Sequence, residues 1–264
     1  MRPFAAAVLA MVLAWAPSVL TGQQTGAPAR PPASAREAAV PFSVGETLTY
    51  DVSWSQFLIA GTAVARVVEK KVSSGSTAYS IVADGRPVPL VARFYQLYYK
   101  MESLVDSATL LTQSSSLYQE ELGTKRQATT RFDRANRRAY YVLQSETSVK
   151  DDFAIPPNVQ DGLATLYAVR SHAFKPGDRL TVPVADDGSM YTVEFEVSGP
   201  ERIRVPFADT DAWSLRIAIT DAQGKSVASN ARAWISTDPR RIPLKLQADL
   251  PVGSFVLALK DLRP

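Results

Sequence analysis

The side chains able to do chemistry are few. His172 is the sole histidine and the chain has no cysteine, so neither a multi-histidine nor a thiolate metal site has its ligands, and no cysteine nucleophile or disulfide is available. A serine triad would have to use His172, yet no Gly-x-Ser-x-Gly elbow occurs. Ser171 is its immediate neighbour, a spacing that turns two helical side chains away from each other. A histidine at that place reads as a partner for a helix C-terminus. Carboxylates pair at Asp151-Asp152, Asp186-Asp187 and Asp209-x-Asp211. The second pair precedes Gly188-Ser189 between two strand patterns, which is hairpin chemistry rather than a calcium loop or a glycosidase dyad. No phosphate loop or dinucleotide fingerprint is present. These residues predict a protein without catalytic machinery, metal or cofactor.

Binding chemistry is better represented. Arg170 falls on the apolar face of a predicted helix, where an unpaired guanidinium would cost several kcal/mol, roughly 3 to 5 when a partner is removed. Glu102, Asp106 and Asp238 are the candidate partners. Two readings stand: a salt bridge that pins the helix, or an anion anchor at a cavity mouth for a lipid head group or carboxylate. Tyr167 lies on the same face and Asp161 at the start of the helix. Aromatics offer a second surface. In Phe94-Tyr95-x-x-Tyr98-Tyr99, an extended chain sends Tyr95 and Tyr99 to one face and Phe94 with Tyr98 to the other. Tyr50 and Trp213, with Trp54, are placed to line an interior. The candidate ligand-binding set is therefore Arg170, Tyr167, Asp161, Tyr99, Tyr50 and Trp213.

These residues need elements to hold them. The helix is predicted over 159–172: Pro156-Pro157 ends any preceding strand, Asp161 can cap the first turn, and Leu163, Leu166, Tyr167 and Arg170 follow on one face. Everything else alternates. Leu48, Tyr50, Val52 and Trp54 begin a period-two pattern that returns through Gly61 to Lys71, Ser76 to Ala83, Tyr95 to Met101, Thr109 to Tyr118, Thr124 to Phe132 and Arg138 to Gln144. After the helix it resumes in Leu180-Val184, Tyr191-Val197, Trp213-Ile219, Ala231-Ile235, Leu244-Ala248 and Phe255-Leu259. That makes about 13 to 14 strands, mainly β, with turns too short for parallel crossovers. One-sided alternation over so many antiparallel strands predicts an unclosed barrel or β-spiral around one central helix.

Met1-Arg2, an apolar run from Phe4 to Ala16 and small residues after it have the form of a secretory signal peptide, assigned to 1–22. The run is shorter than the roughly 20 residues a spanning helix needs. Leu20-Thr21-Gly22 is followed by Gln23 where lipidation needs cysteine, so an exported protein free in the periplasm is expected. Residues 23–40, rich in Ala, Pro, Gln and Arg, read as a disordered linker to a single domain over 41–264. The 264 residues carry a net charge of +3 and 46% hydrophobic residues, ordinary for a globular chain. The basic cluster Arg131, Arg134, Arg137 and Arg138 surrounds a turn, so no nucleic-acid partner is expected.

The chain also repeats. Phe42-x-x-Gly45-Glu46-x-Leu48-x-Tyr50-x-Val52 matches Phe174-x-x-Gly177-Asp178-x-Leu180-x-Val182-x-Val184. Ala78-Tyr79-Ser80-Ile81 aligns with Ala212-Trp213-Ser214-Leu215, and Asp106 with Asp238. Similar halves, about 42–155 and 174–262, then flank the helix.

With Met101-Glu102-Ser103, Asp161-Gly162-Leu163, Trp234-Ile235-Ser236-x-Asp238 and Ile242-Pro243, the first of these motifs resembles the DUF3108 family of bacterial envelope proteins, over nearly the whole mature chain. The resemblance implies an exported β domain similar to EipB-type β-spirals and, more distantly, to the LolA and LolB lipoprotein carriers, with an apolar interior and a helix near its mouth. It brings no chemistry to transfer. Two functions remain. One is a monomeric or weakly self-associating periplasmic protein that binds an apolar or lipid-like ligand. The other is a structural protein of the envelope that meets another protein through a strand edge. Catalysis, hydrolysis included, is the weakest reading.

Overall fold

The computed structural model describes residues 36–55, 58–251 and 253–264. The predicted signal peptide and most of the predicted linker lie outside these residues. The end of that linker is not loose: Ala38 N–H donates to Ser107 O at 2.8 Å, and Val40 packs on the core.

Strands β1 (Thr47–Trp54), β2 (Leu58–Ser73), β3 (Ser76–Pro87), β4 (Leu97–Asp106), β5 (Thr112–Glu121), β6 (Thr124–Asp133), β7 (Arg138–Gln144) and β8 (Ser148–Ala154) precede the long helix. A one-turn helix α1 (Pro89–Ala92) interrupts them. Helix α2 (Gly162–Arg170) follows, then β9 (Arg179–Asp186), β10 (Ser189–Arg204), β11 (Asp209–Asp221), β12 (Ser229–Ser236), β13 (Pro243–Leu250) and β14 (Gly253–Arg263). All belong to one 14-stranded antiparallel sheet, ordered β8 to β1 and then β14 to β9, so the middle of the sheet joins the first strand to the last. Its ends, β8 and β9, are not paired with each other, and the curled sheet is an unclosed barrel.

The sequence reading missed two elements for identifiable reasons. β8 is Ser-Val-Lys-Asp-Asp-Phe-Ala, almost wholly exposed, and an edge strand with charges outward shows no apolar alternation. α1 begins at Pro89, whose fixed φ suits a first helical turn, so Phe94 and Tyr95 follow a helix instead of opening a strand. β4 starts only at Leu97, and the two faces predicted from Phe94 onward do not exist before it.

The halves are built alike to the level of single hydrogen bonds. Gly45 and Gly177 both have positive φ, 100° and 86°, a conformation that costs glycine little. Gly45 N–H donates to Val67 O and Gly177 N–H to Val197 O, each at 2.8 Å. A register shift follows each acceptor, at Val67/Glu69 and Val197/Gly199. Phe42 meets Tyr79 with ring centroids 5.2 Å apart, and Phe174 meets Trp213 at 6.1 Å. One match in the predicted repeat is displaced. Ala78 pairs with Asp106 and Ala212 with Ser236, so Asp106 is the counterpart of Ser236 and not of Asp238. The two aspartates still do similar work, Asp106 accepting from Ala108 and Thr109 N–H and Asp238 from Arg240 N–H in the following turn.

Candidate functional site

Helix α2 crosses the inside of the curl and divides it. Asp161 caps it, accepting from Leu163 N–H at 2.9 Å and Ala164 N–H at 3.1 Å, and takes further bonds from Ser103 Oγ and Thr112 Oγ1. Gln160 is bound to Thr112 and Leu110, and Arg134 donates to the carbonyls of Thr112, Pro157 and Val159. The helix is thus latched to β4 and β5 before it starts.

At its far end Arg170 is wholly enclosed, 0% exposed. Its Nη1 and Nη2 donate to the Glu46 carboxylate at 2.6 and 2.8 Å, and its Nε to Arg241 O at 2.9 Å. Burial works against the charge, but the Glu46 carboxylate outweighs it and holds the guanidinium above its ordinary range. The guanidinium also lies over the Tyr167 and Phe42 rings. Arg170 is therefore the pin of the two predicted roles. Its partner is none of the three proposed; Glu46, in the repeated glycine turn, was overlooked. Tyr167 and Tyr50, from the two core clusters that α2 separates, both lie beside the Arg170–Glu46 pair, and Tyr50 Oη donates to Pro243 O at 2.8 Å. Trp213 is half-buried against Phe174. Tyr99 sends an enclosed hydroxyl, without a hydrogen-bond partner among the described residues, toward Asp186 and Asp187. The predicted set is divided among three places: Arg170, Tyr167 and Tyr50 around Glu46, Trp213 against Phe174, and Asp161 and Tyr99 toward Asp186.

None of the predicted residues lines the apolar cavity on the other side of α2. Leu163, Ala164 and Tyr167 fill the N-terminal half with Phe42, Val67, Tyr79, Ile81, Met101 and Val105. Thr165, Leu166 and Val169 look the other way, toward β9 to β13, and there the packing stops short. Between them and Val193, Phe195, Ile217, Ile219, Ala231 and Leu246 lies an apolar cavity of about 130 Å³ open to the centre of a water molecule, or about 1000 Å³ of empty space with its mouth. Tyr191, Ala228 and Leu250, near the strand ends, carry it to the rim of the barrel. The sequence marks Ile217 and Ile219 as inward by alternation, but alternation cannot say whether an inward face is filled.

Beside this cavity the two ends of the sheet meet through side chains. Arg126 on β6 bonds both oxygens of Asp187 at 2.5 and 2.6 Å, and Tyr141 Oη on β7 donates to Asp187 at 2.6 Å. Gly188 (φ 75°) lies against the Tyr141 ring so closely that a Cβ would stand 3.0 Å from it. Gln160 adds two backbone bonds to the edge of β9, to Pro183 O and from Ala185 N–H. Asp186 shares its strand face with Val184 and lines the cavity. Burial, then the charges of Asp187 and Asp161, push its carboxyl up to about 7.

His172 stands half-exposed at the end of α2, 3.7 Å from Asp178 and against Phe174, while the neighbouring Ser171 Oγ donates to Tyr167 O. Among the described residues no cluster of His, Asp and Glu could hold a metal ion, and no helix is long and apolar enough to cross a membrane.

Comparison with known proteins agrees with this architecture. A family model described as a protein of unknown function (DUF3108) matches residues 49–260. The chain belongs to the DUF3108 family. No curated protein matches it in sequence. In structure this DUF3108 chain is similar to a beta-barrel-like protein of the domain of unknown function DUF1849 from Brucella abortus, at 11% identity and a TM-score of 0.55, over 83% of this chain and 97% of that one. It also matches a protein from Bacteroides fragilis described as exported, with a YmcC-like fold (10% identity, TM-score 0.36, 87% and 100% covered). A third match is described as a lipoprotein from Parabacteroides distasonis (11%, 0.36, 86% and 100%). The family and the DUF1849 neighbour are of unknown function, and that neighbour bears on the fold alone.

Proposed function

We propose that this protein is a non-enzymatic binding protein of the bacterial periplasm that holds an apolar, lipid-like ligand inside its curled sheet. The observation that carries the reading is the cavity between α2 and β9 to β13, whose wall is aliphatic and aromatic and which reaches the rim. At about 130 Å³ the cavity is smaller than the roughly 300 to 1000 Å³ usual for drug-sized ligands, so it suits a slender single chain. Each methylene moved from water into such a wall contributes about 0.8 kcal/mol, so a chain of about eight contributes roughly 6 kcal/mol, from which the cost of ordering the chain is subtracted. A leader of the secretory type at 1–22 supports the compartment. His172 pairs with Asp178 and the Ser171 hydroxyl is bonded to Tyr167 O, an arrangement that supports binding over catalysis.

The other reading, envelope support through a strand edge, has less behind it. Lys150, Asp151 and Asp152 leave β8 exposed and charged, the pattern that discourages added strands, and Gln160 occupies part of the β9 edge.

Native mass spectrometry with lipid extraction tests the reading on mature protein purified from a bacterial periplasm. An acyl-chain species is expected in the wild type and absent from an Ile217→Trp variant that fills the cavity. A ligand-free wild type that also fails to bind a neutral apolar dye such as N-phenyl-1-naphthylamine would overturn it.

A further inference from the structure

The cavity wall is not uniformly apolar, and its one charge has the sign opposite to that expected of a site for fatty acids. Arg170, the cation predicted to face a ligand, is sealed in its pair with Glu46. Arg232 belongs to the lining, but it is exposed while Ala231 and Ala233 are buried, so alternation sends its side chain to the outer face, beside its exposed strand neighbour Arg216. Asp186 faces inward. Among the described residues it accepts from the backbone N–H of Asp187, and the cation that acts on it, Arg126, is bonded to Asp187. Around it stand Asp187 on its own hairpin, Asp161 at the head of α2, Tyr99 on β4, Arg126 on β6, Tyr141 on β7 and Tyr191 on β10.

From this geometry we infer that the cavity selects a single-chain amphiphile whose polar end donates hydrogen bonds, an ammonium or a hydroxyl, with Asp186 as its acceptor, and rejects an anionic end. The inference rests on the binding function proposed above and names the ligand class for that same site. A carboxylate or phosphate seated beside Asp186 would bring like charge against it, with no cation among the described residues facing the cavity to offset it. A donor end supplies the partner that Asp186 lacks, and an ammonium also offsets the charges of Asp187 and Asp161. The net charge of +3 on the whole chain would by itself favour the anion, so a preference for the amine has to come from the site.

Decylamine, decanol and decanoate, matched in chain, are titrated against protein loaded with N-phenyl-1-naphthylamine at about pH 8, where an Asp186 carboxyl titrating near 7 is ionised. The wild type should bind decylamine at least about tenfold tighter than decanoate, with decanol between them. In Asp186→Asn the ratio should fall to within about threefold, and in the wild type it should shrink at about pH 5.5, where Asp186 is protonated. Asn has the shape of Asp, and an unchanged thermal midpoint or a raised one shows that the variant folds. Equal binding of all three by the wild type, or a ratio that survives Asp186→Asn, overturns the inference and leaves the apolar-ligand reading standing. Failure of all three and of the dye overturns both.

Discussion

Glu46 and Asp178 occupy the same place in the two halves of the sheet, each directly after a glycine with positive φ and each closing the same turn. Glu46 is buried in a two-pronged pair with Arg170; Asp178 is partly exposed with His172 3.7 Å away. The interiors differ in the same direction. The half that holds Glu46 is packed with Phe42, Tyr79 and Tyr167, while the half that holds Asp178 keeps a cavity under the other face of α2. A helix of nine residues cannot fill both sides of a barrel of this size. By committing its one charge and its tyrosine to the first side, it leaves the second unfilled, and a repeated frame acquires one structural and one receptive half.

The largest test of this contrast is to break the pin. Arg170→Ala or Glu46→Ala strands a buried charge and should cost about 3 to 5 kcal/mol, visible as a fall in thermal midpoint of roughly 10 °C. Asp178→Ala, at the matching position, should cost no more than about 1 kcal/mol. Equal losses at the two sites would mean that the halves are not differentiated as described.

Next comes the filling itself. Ala128 and Ala231 are both buried and inward, 4% and 6% exposed, but Ala128 borders a void of only about 20 Å³ beside Leu163 and Tyr141, whereas Ala231 borders the large cavity. Leucine at 128 should overpack and cost about 1 to 3 kcal/mol, measured by urea unfolding; leucine at 231 should be neutral or stabilising. A large loss at 231 would show that the cavity has no room to give.

A smaller effect follows from Asp186. Its folded pKa of about 7 lies above the roughly 3.9 of an unfolded aspartate, so the folded state binds the extra proton between those values. Its contribution is therefore unfavourable to folding once pH rises through that window and absent below it. Asp186→Asn should raise stability at about pH 8 by an amount on the order of 1 kcal/mol and leave it unchanged near pH 4. A difference of the opposite sign in thermal melts across that range would contradict the burial assigned to the carboxyl.

The fold was legible in the sequence because nearly every strand has one wet face, and Asp161, Pro156 and Pro157 mark the helix start without help from tertiary contacts. β8 was hidden because an edge strand with charges outward carries no such pattern. The repeat was legible in its glycine turn and in Tyr79 and Trp213, and slipped by two residues at Asp106 because carboxylates cap turns from more than one position. The site was less accessible. Arg170 drew attention as a charge on an apolar face, and only the fold brings Glu46 to it across the helix and the first strand. A cavity is an absence of atoms, and no residue type announces it; Asp186 looked like half of a hairpin turn because it is one.

The least of the expected effects lies at the seam. Arg126→Gln removes the cation from Asp187 and should cost about 0.5 to 1 kcal/mol, read by urea unfolding, because the pair is partly solvated and Tyr141 still holds Asp187. Loss of the fold would show that the seam carries more weight than its solvation suggests.

A ring of strands joined all the way round has its girth set by strand number and stagger, and it can widen only by breaking ladder bonds. Here the band from β8 to β9 is fastened at its ends by one guanidinium, one phenol, a short pairing of Gln160 and a buried apolar cluster of Phe132, Ala139, Ile155, Val159 and Ala185. It works as a split collar with a clasp. Its girth is fixed by these contacts at one place and by thirteen strand pairings everywhere else.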